Sequence, residues 1–106
     1  MGSREERRGR NESLFREVNE HIAALGERTH ASQIEIVCEC SDTTCSAPLS
    51  VSVSEYEDAR TDPRTFIVRV GHEDVEVERR VARHGDHVFV QKIGDAAAAA
   101  VATDPR

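Results

Sequence analysis

The sequence predicts a small α+β domain. It combines an N-terminal amphipathic helix packed on a short, mainly antiparallel sheet with two further helices and a metal clip. Three observations carry the prediction. An apolar stripe with helical spacing fills the first quarter of the chain. Four short runs rich in β-branched residues follow, separated by turn-forming residues. All three cysteines fall in the stretch Cys38-Glu39-Cys40-Ser41-Asp42-Thr43-Thr44-Cys45.

The chain opens basic: within residues 1–10, Arg4, Arg7, Arg8 and Arg10 outnumber Glu5 and Glu6. Ser3 and Glu6 have capping-box spacing, so residues 1–10 read as a basic N-terminal arm or the start of a helix. From Asn11 the pattern is helical. Leu14, Phe15, Val18, Ile22 and Leu25 recur at steps of three and four and make one apolar stripe. That stripe is expected to form core, because large apolar side chains are scarce elsewhere. Gly26 is the expected helix stop.

Strands are expected over 34–39, 48–53, 65–70 and 87–92, each built on alternating or β-branched apolar residues. Ser54 and Glu57 form a capping box, so a short helix is expected from there to about Arg60, with Tyr56 read as packing. The stretch after Gly71-His72 has two readings. Val75, Val77 and Val81 fit a strand that hairpins at Gly85-Asp86. A helix over 74–84 is preferred, because acidic Glu73, Asp74, Glu76 and Glu78 come early and basic Arg79, Arg80, Arg83 and His84 come late, as the helix dipole favours. The domain is expected to span 11–93. The Ala-rich tail, 94–106, has no apolar stripe and reads as disordered.

The cysteines point to metal. A bridge between Cys38 and Cys40, one residue apart, would be strained. An odd count leaves a thiol unpaired in any case. On an extended segment C-x-C points both sulfurs to one side, and a four-residue turn suited to Asp42, Thr43 and Thr44 brings Cys45 back towards them. Thiolate and imidazole in a closed set of four is the structural-zinc pattern, so Zn2+ is the expected cofactor. His72, beside the permissive Gly71, is the leading fourth ligand. His30, His84, His87 and Asp42 are its rivals. The opposing reading, three buried free thiols, fits poorly with flanking Glu39, Ser41 and Asp42, which look too polar for a core.

Charge and composition bound the function. The 106 residues form one domain with a net charge of −6, which argues against a general nucleic-acid binder. No apolar run reaches the length of a membrane span, and no apolar segment follows the basic start as in a signal peptide. Reduced thiols available for metal suit the cytoplasm. Only 4% of residues are aromatic and none is Trp, so a metal clip would matter to stability.

Several stretches together resemble a family of small, uncharacterised actinobacterial proteins. They are residues 11–20, Cys38-Glu39-Cys40-Ser41-Asp42 with Cys45, Glu55-Tyr56-Glu57 and Gly71-His72-Glu73, within residues 11–93. The resemblance implies that Cys38, Cys40, Cys45 and His72 belong together. The family often has a proline before the Gly-His pair, where this chain has Val70. It carries no established activity.

Two other chemistries are weighed. The C-x-C-x4-C spacing loosely resembles the CDGSH iron–sulfur proteins, but this chain has no Cys-Asp-Gly-Ser-His run and His72 lies far from Cys45 in sequence. Catalysis would need an open metal position with an acid or base such as Glu39, Asp42 or Glu73 beside it. Four filled positions leave no such opening, and no nucleophile elbow, phosphate loop or zinc-helix motif is present. The expectation is therefore a non-enzymatic interaction or regulatory module with a protein partner of unspecified kind. A redox or metal sensor that releases zinc on thiol oxidation is the alternative.

Overall fold

A computed structural model describes residues 4–40, 42, 45 and 47–106, with residues 4–11 as backbone only. The order is α1 (Arg4–Arg28), β1 (Gln33–Val37), β2 (Pro48–Ser52), α2 (Val53–Ala59), β3 (Thr65–Arg69), β4 (Glu78–His84), β5 (His87–Lys92) and α3 (Gly94–Ala102). β1 and β2 form a two-stranded sheet. The other sheet has the order β3-β5-β4, and every pairing is antiparallel. The expected α+β class is the observed one, with two sheets in place of one.

Sheet packing follows from alternation. Ile34 and Ile36 on β1 and Leu49 and Val51 on β2 point inward, with their neighbours outward. Phe66, Ile67, Val68, Val88 and Val90 supply the other half of the core, and Tyr56 and Ala59 of α2 close onto it. Tyr56 is fully buried, as its packing role requires, and its hydroxyl donates to Glu20 at 3.2 Å. α2 starts two residues earlier than expected, capped by Ser52 instead of Ser54. Ser52 accepts from the Glu55 N–H at 2.9 Å, and Glu55 reaches back to the Ser52 N–H.

The preferred helix over 74–84 is wrong; a hairpin does form at Gly85-Asp86, with Val81 on its first strand, but Val75 and Val77 lie in a turn before that strand. β4 meets β5 through the two-residue turn Gly85-Asp86, where Gly85 adopts φ +64°. Such turns need positive φ and favour glycine. β4 is an outer strand of its sheet, and only Glu78 on it is buried. Both faces are therefore wet, and the acidic-to-basic run imitates a helix without forming one. The tail departs from expectation too. Its alanines form α3, consistent with alanine's high helix propensity, and Ala100 packs into the core. Beyond α3, Asp104 pairs with Arg60, and Arg106 pairs with Glu20 at 3.0 Å and Glu57 at 2.8 Å.

α1 shows the largest difference. Among its residues from 12 onward, Glu12, Arg16, Asn19, Ala23 and Gly26 are buried, whereas Leu14, Val18 and Leu25 face solvent and Phe15 and Ile22 are half-buried. At 100° per residue the buried face is turned roughly 110° from the apolar stripe. The reason lies in what α1 packs against. It meets the edge and ends of strands, where backbone groups need partners. Asn19 donates to the Val37 carbonyl and accepts from the Val37 N–H, each at 2.8 Å. Arg16 donates to the carbonyls of Pro63, Thr65 and Ala100, with its guanidinium 4.1 Å from the Phe66 ring centre. Glu12 meets Lys92 at 2.8 Å, which also holds Glu78 at 2.6 Å. Gly26 is not the helix stop. A Cβ there would stand 2.5 Å from the Ile34 Cγ2, so it marks a close approach of α1 to β1. His30, with φ +56°, takes the left-handed position after the helix. The proposed Ser3–Glu6 cap lies outside the described residues.

Candidate metal centre

The site begins where β1 ends. The Cys38 N–H donates to the Ala47 carbonyl at 2.9 Å, so the chain stays extended past Val37. Extended side chains alternate. Cys38 and Cys40 therefore project to one side, and Glu39 projects to the other. Glu39 is 1% exposed, so the expectation that it is too polar for the core fails. Its carboxylate accepts from the Ile67 N–H at 2.9 Å and the Asn19 amide at 2.8 Å, while its own N–H donates to the Ile67 carbonyl at 2.9 Å. The Arg69 N–H points at the Cys38 Sγ, 3.2 Å away. The Cys-Glu-Cys segment thus caps the free edge of β3 and joins the two sheets.

The remaining donors come from turns. The Cys45 N–H donates to the Asp42 carbonyl at 3.1 Å, closing a turn. The side-chain roles expected for Thr43 and Thr44 lie outside the described residues. His72 ends the turn Arg69-Val70-Gly71-His72, with its N–H on the Arg69 carbonyl at 2.9 Å and Gly71 at φ +91°. Positive φ at the third position is what a type II turn requires, and the turn forms with Val70 at the second. Glu73 pins this loop by accepting from the Gly71 N–H at 2.6 Å and pairing with Arg80 at 2.6 Å.

One ligand atom each from Cys38, Cys40, Cys45 and His72 lies within 4.8 Å of the other three. The His72 Nδ1 stands 3.4 Å from the Cys45 Sγ and 3.7 Å from the Cys38 Sγ. Zinc bond lengths of about 2.3 Å to sulfur and 2.0–2.1 Å to nitrogen set tetrahedral S···N edges of roughly 3.6 Å. The donors therefore fit a metal of that size in both chemistry and spacing. No other His, Cys, Asp or Glu group of this kind forms among the described residues. Of the rival fourth ligands, Asp42 lies in the cysteine loop but outside the group of four, and the three histidines are elsewhere. His84 and His87 each sit 3.1 Å from one oxygen of Glu55, and His30 is exposed at the end of α1.

No known family, characterised protein or solved structure matches this chain.

The electrostatics suit a cation. Cys38 and Cys40 share a hydrogen bond that raises the Cys38 thiol, with burial adding to the rise. The same bond lowers Cys40 to about 5. Burial opposes that, and His72, the Asp42 N–H and Cys45 assist it. The shared bond favours the thiolate form at one of the two sulfurs, and thiolate is the form that ligates. Behind the sulfurs, burial pushes the Glu39 carboxyl up, against the Asn19 amide, the Ile67 N–H and the charges of Arg16 and Arg60. Sequence reasoning found the four donors but missed Asn19, Arg16 and Glu39 beneath them. The signal was available: positions 12, 16, 19 and 23 form a second stripe at helical steps, and the middle residue of C-x-C must face away from the sulfurs.

Proposed function

We propose that this chain is a small non-catalytic interaction module whose fold is clipped by one structural zinc ion, held by Cys38, Cys40, Cys45 and His72. The observation that carries the reading is the convergence of three sulfurs and one imidazole nitrogen within 4.8 Å. The metal would supply a fixed tetrahedral junction between the end of β1, the β1–β2 loop and the β3–β4 loop. Four protein donors fill that junction and leave no position for a reacting water. Among the described residues no helix is long and apolar enough to cross a membrane. The cytoplasm, where thiols stay reduced, is the setting in which such a site would persist. The Cys-x-Cys, Glu-Tyr-Glu and Gly-His resemblance agrees with the four-ligand set. The test is elemental analysis of purified protein: one zinc per chain in the wild type, and under half that in Cys38→Ser and His72→Ala. Wild-type protein purified in reducing buffer without stoichiometric zinc would overturn the reading.

A second reading rests on exposure. Cys45 is only partly buried, unlike Cys38 and Cys40, so peroxide can reach the site. Two thiolates and hydrogen peroxide, with two protons, give one disulfide and two waters, and the metal loses two ligands. In this reading the module is a redox sensor. Zinc release under mild peroxide with a parallel loss of ordered circular dichroism supports it. Retention of both zinc and fold excludes it.

A further inference from the structure

We propose that the outer edge of β4 binds an extended acidic segment of a partner protein, which adds to the β3-β5-β4 sheet as a further strand. The proposal rests on the reading of this chain as an interaction module and names the surface and the kind of partner. β4 pairs with β5 along one edge, and among the described residues no strand pairs with the other. Such an edge presents unpaired N–H and C=O groups, a template for another chain. The Glu78 N–H is already taken by the Asp74 carbonyl at 3.0 Å, so the open stretch is residues 79–84. It spans about 20 Å at about 3.3 Å per residue. Arg79, Arg80, Val81, Arg83 and His84 are exposed along it, and Ala82 is half-buried. The far edge of the same sheet is closed, because the Cys-Glu-Cys segment lies against β3 there.

Charge selects the partner. The chain carries −6 overall, yet residues 79–84 hold three arginines and no acid. Glu78, just before them, is buried on Lys92. Arg80 is held by Glu73 at 2.6 Å. Arg79 instead donates to the Gln91 amide oxygen at 2.9 Å, and Arg83 to the Gly85 carbonyl at 3.2 Å. Those acceptors are neutral, and a guanidinium has further N–H donors for an incoming carboxylate. Arg79 lies opposite Gln91 and Arg83 opposite Val88, so the two arginines stand on opposite faces of the sheet. The added strand therefore needs acids on both of its faces, a run rather than an alternation. Acidic tails, disordered alone and ordered on binding, supply such runs. Val81, at the bulge between Arg80 and Ala82, is 57% exposed and offers an apolar contact midway. Arginines and a bulge also guard an outer strand against its own kind. A second copy of β4 would set arginine against arginine, so the guard excludes self-pairing and leaves an acidic strand as the matched occupant. A nucleic acid brings no strand backbone to the edge and meets a net charge of −6.

Fluorescence anisotropy tests this on the full chain in reducing buffer at about 0.1 M salt, with zinc content measured on the same sample. The probe is a labelled, end-blocked heptapeptide, Thr-Glu-Glu-Val-Glu-Glu-Thr. It should bind saturably with a dissociation constant between about 10 and 500 µM, as suits a small transient interface. Arg79→Glu combined with Arg83→Glu should weaken binding about tenfold with unchanged circular dichroism. The same peptide with Lys in place of Glu should bind that double variant. Methylating alternate amide nitrogens of the acidic probe should weaken it about fivefold, since this removes strand hydrogen bonds and keeps the charge. No saturable binding of the probe up to about 1 mM overturns the proposal. So does equal binding by the methylated peptide, or equal or tighter binding of a thymidine pentanucleotide carrying the same charge. Zinc content separates this surface from the reading beneath it. A zinc-loaded chain that ignores the peptide loses the β4 surface alone, and a zinc-free chain that binds it keeps the surface and loses the clip.

Discussion

Replacing Asn19 with alanine should damage the fold far more than replacing any leucine of α1. Asn19 makes three hydrogen bonds of 2.8 Å, two to the backbone of Val37 and one to Glu39. Its loss strands a half-buried N–H, a half-buried carbonyl and one bond of a fully buried carboxylate. A buried group left without its partner costs about 1–3 kcal/mol. Taking Val37 at the low end and Glu39 towards the high end, the sum is about 4 kcal/mol. For a domain of this size that lowers the melting temperature by roughly 15–30 °C. Leu14→Ala and Leu25→Ala, each at a position 55% exposed, should change stability by no more than about 0.5 kcal/mol. The assay is thermal melting by circular dichroism at low micromolar protein. If either leucine variant melts below Asn19→Ala, the apolar stripe is the core face of α1 and the orientation argued above is wrong.

Three further outcomes follow. Metal should stabilise the native chain by mass action: free zinc at about 1,000 times its dissociation constant adds roughly 4 kcal/mol, so chelation should lower the melting temperature by about 15–30 °C. Gly26→Ala should destabilise by about 1–3 kcal/mol in a denaturant titration despite alanine's better helix propensity, because its methyl would meet Ile34. Acid should weaken the link between the C-terminus and the body. Burial alone would raise Glu20 and Asp104, but hydrogen bonds from Arg60 and Arg106 outweigh it and hold both carboxyls below their usual range. A depressed carboxyl contributes stability that is full above its unfolded pKa and is lost as pH falls through the folded one. Melting temperature should therefore drop below about pH 4, and Asp104→Asn should flatten that drop.

Much of the fold is legible because its signals are local. β5 is read over its full range from the apolar run Val88-Phe89-Val90. β1, β2 and β3 are off by one or two residues at their ends. The cysteine cluster is legible because sulfur spacing and turn chemistry act within eight residues, and His72 because Gly71 marks the tight turn that delivers it. What escaped depends on tertiary context. β4 is an outer strand with both faces wet, so it has no alternation to read, and its charges imitate a helix dipole. Two overlapping Ser-x-x-Glu boxes, at 52–55 and 54–57, are locally equivalent. Glu55 is also held by His84 and His87, which no short window contains. The face of α1 is the deepest case. Apolar spacing says which side could enter a core, but α1 lies on strand edges, whose backbone groups call for Asn19 and Arg16 instead. The carboxylate of Glu39 completes the same set and joins that edge to the sulfurs.

X-ray absorption at the zinc K-edge on protein purified in reducing buffer tests the central claim most directly. The expected result is a four-coordinate shell of three sulfurs at about 2.3 Å and one nitrogen at about 2.0–2.1 Å. His72→Ala should replace that nitrogen or lose the metal. A shell with fewer than three sulfurs, or one unchanged by His72→Ala, would contradict the account.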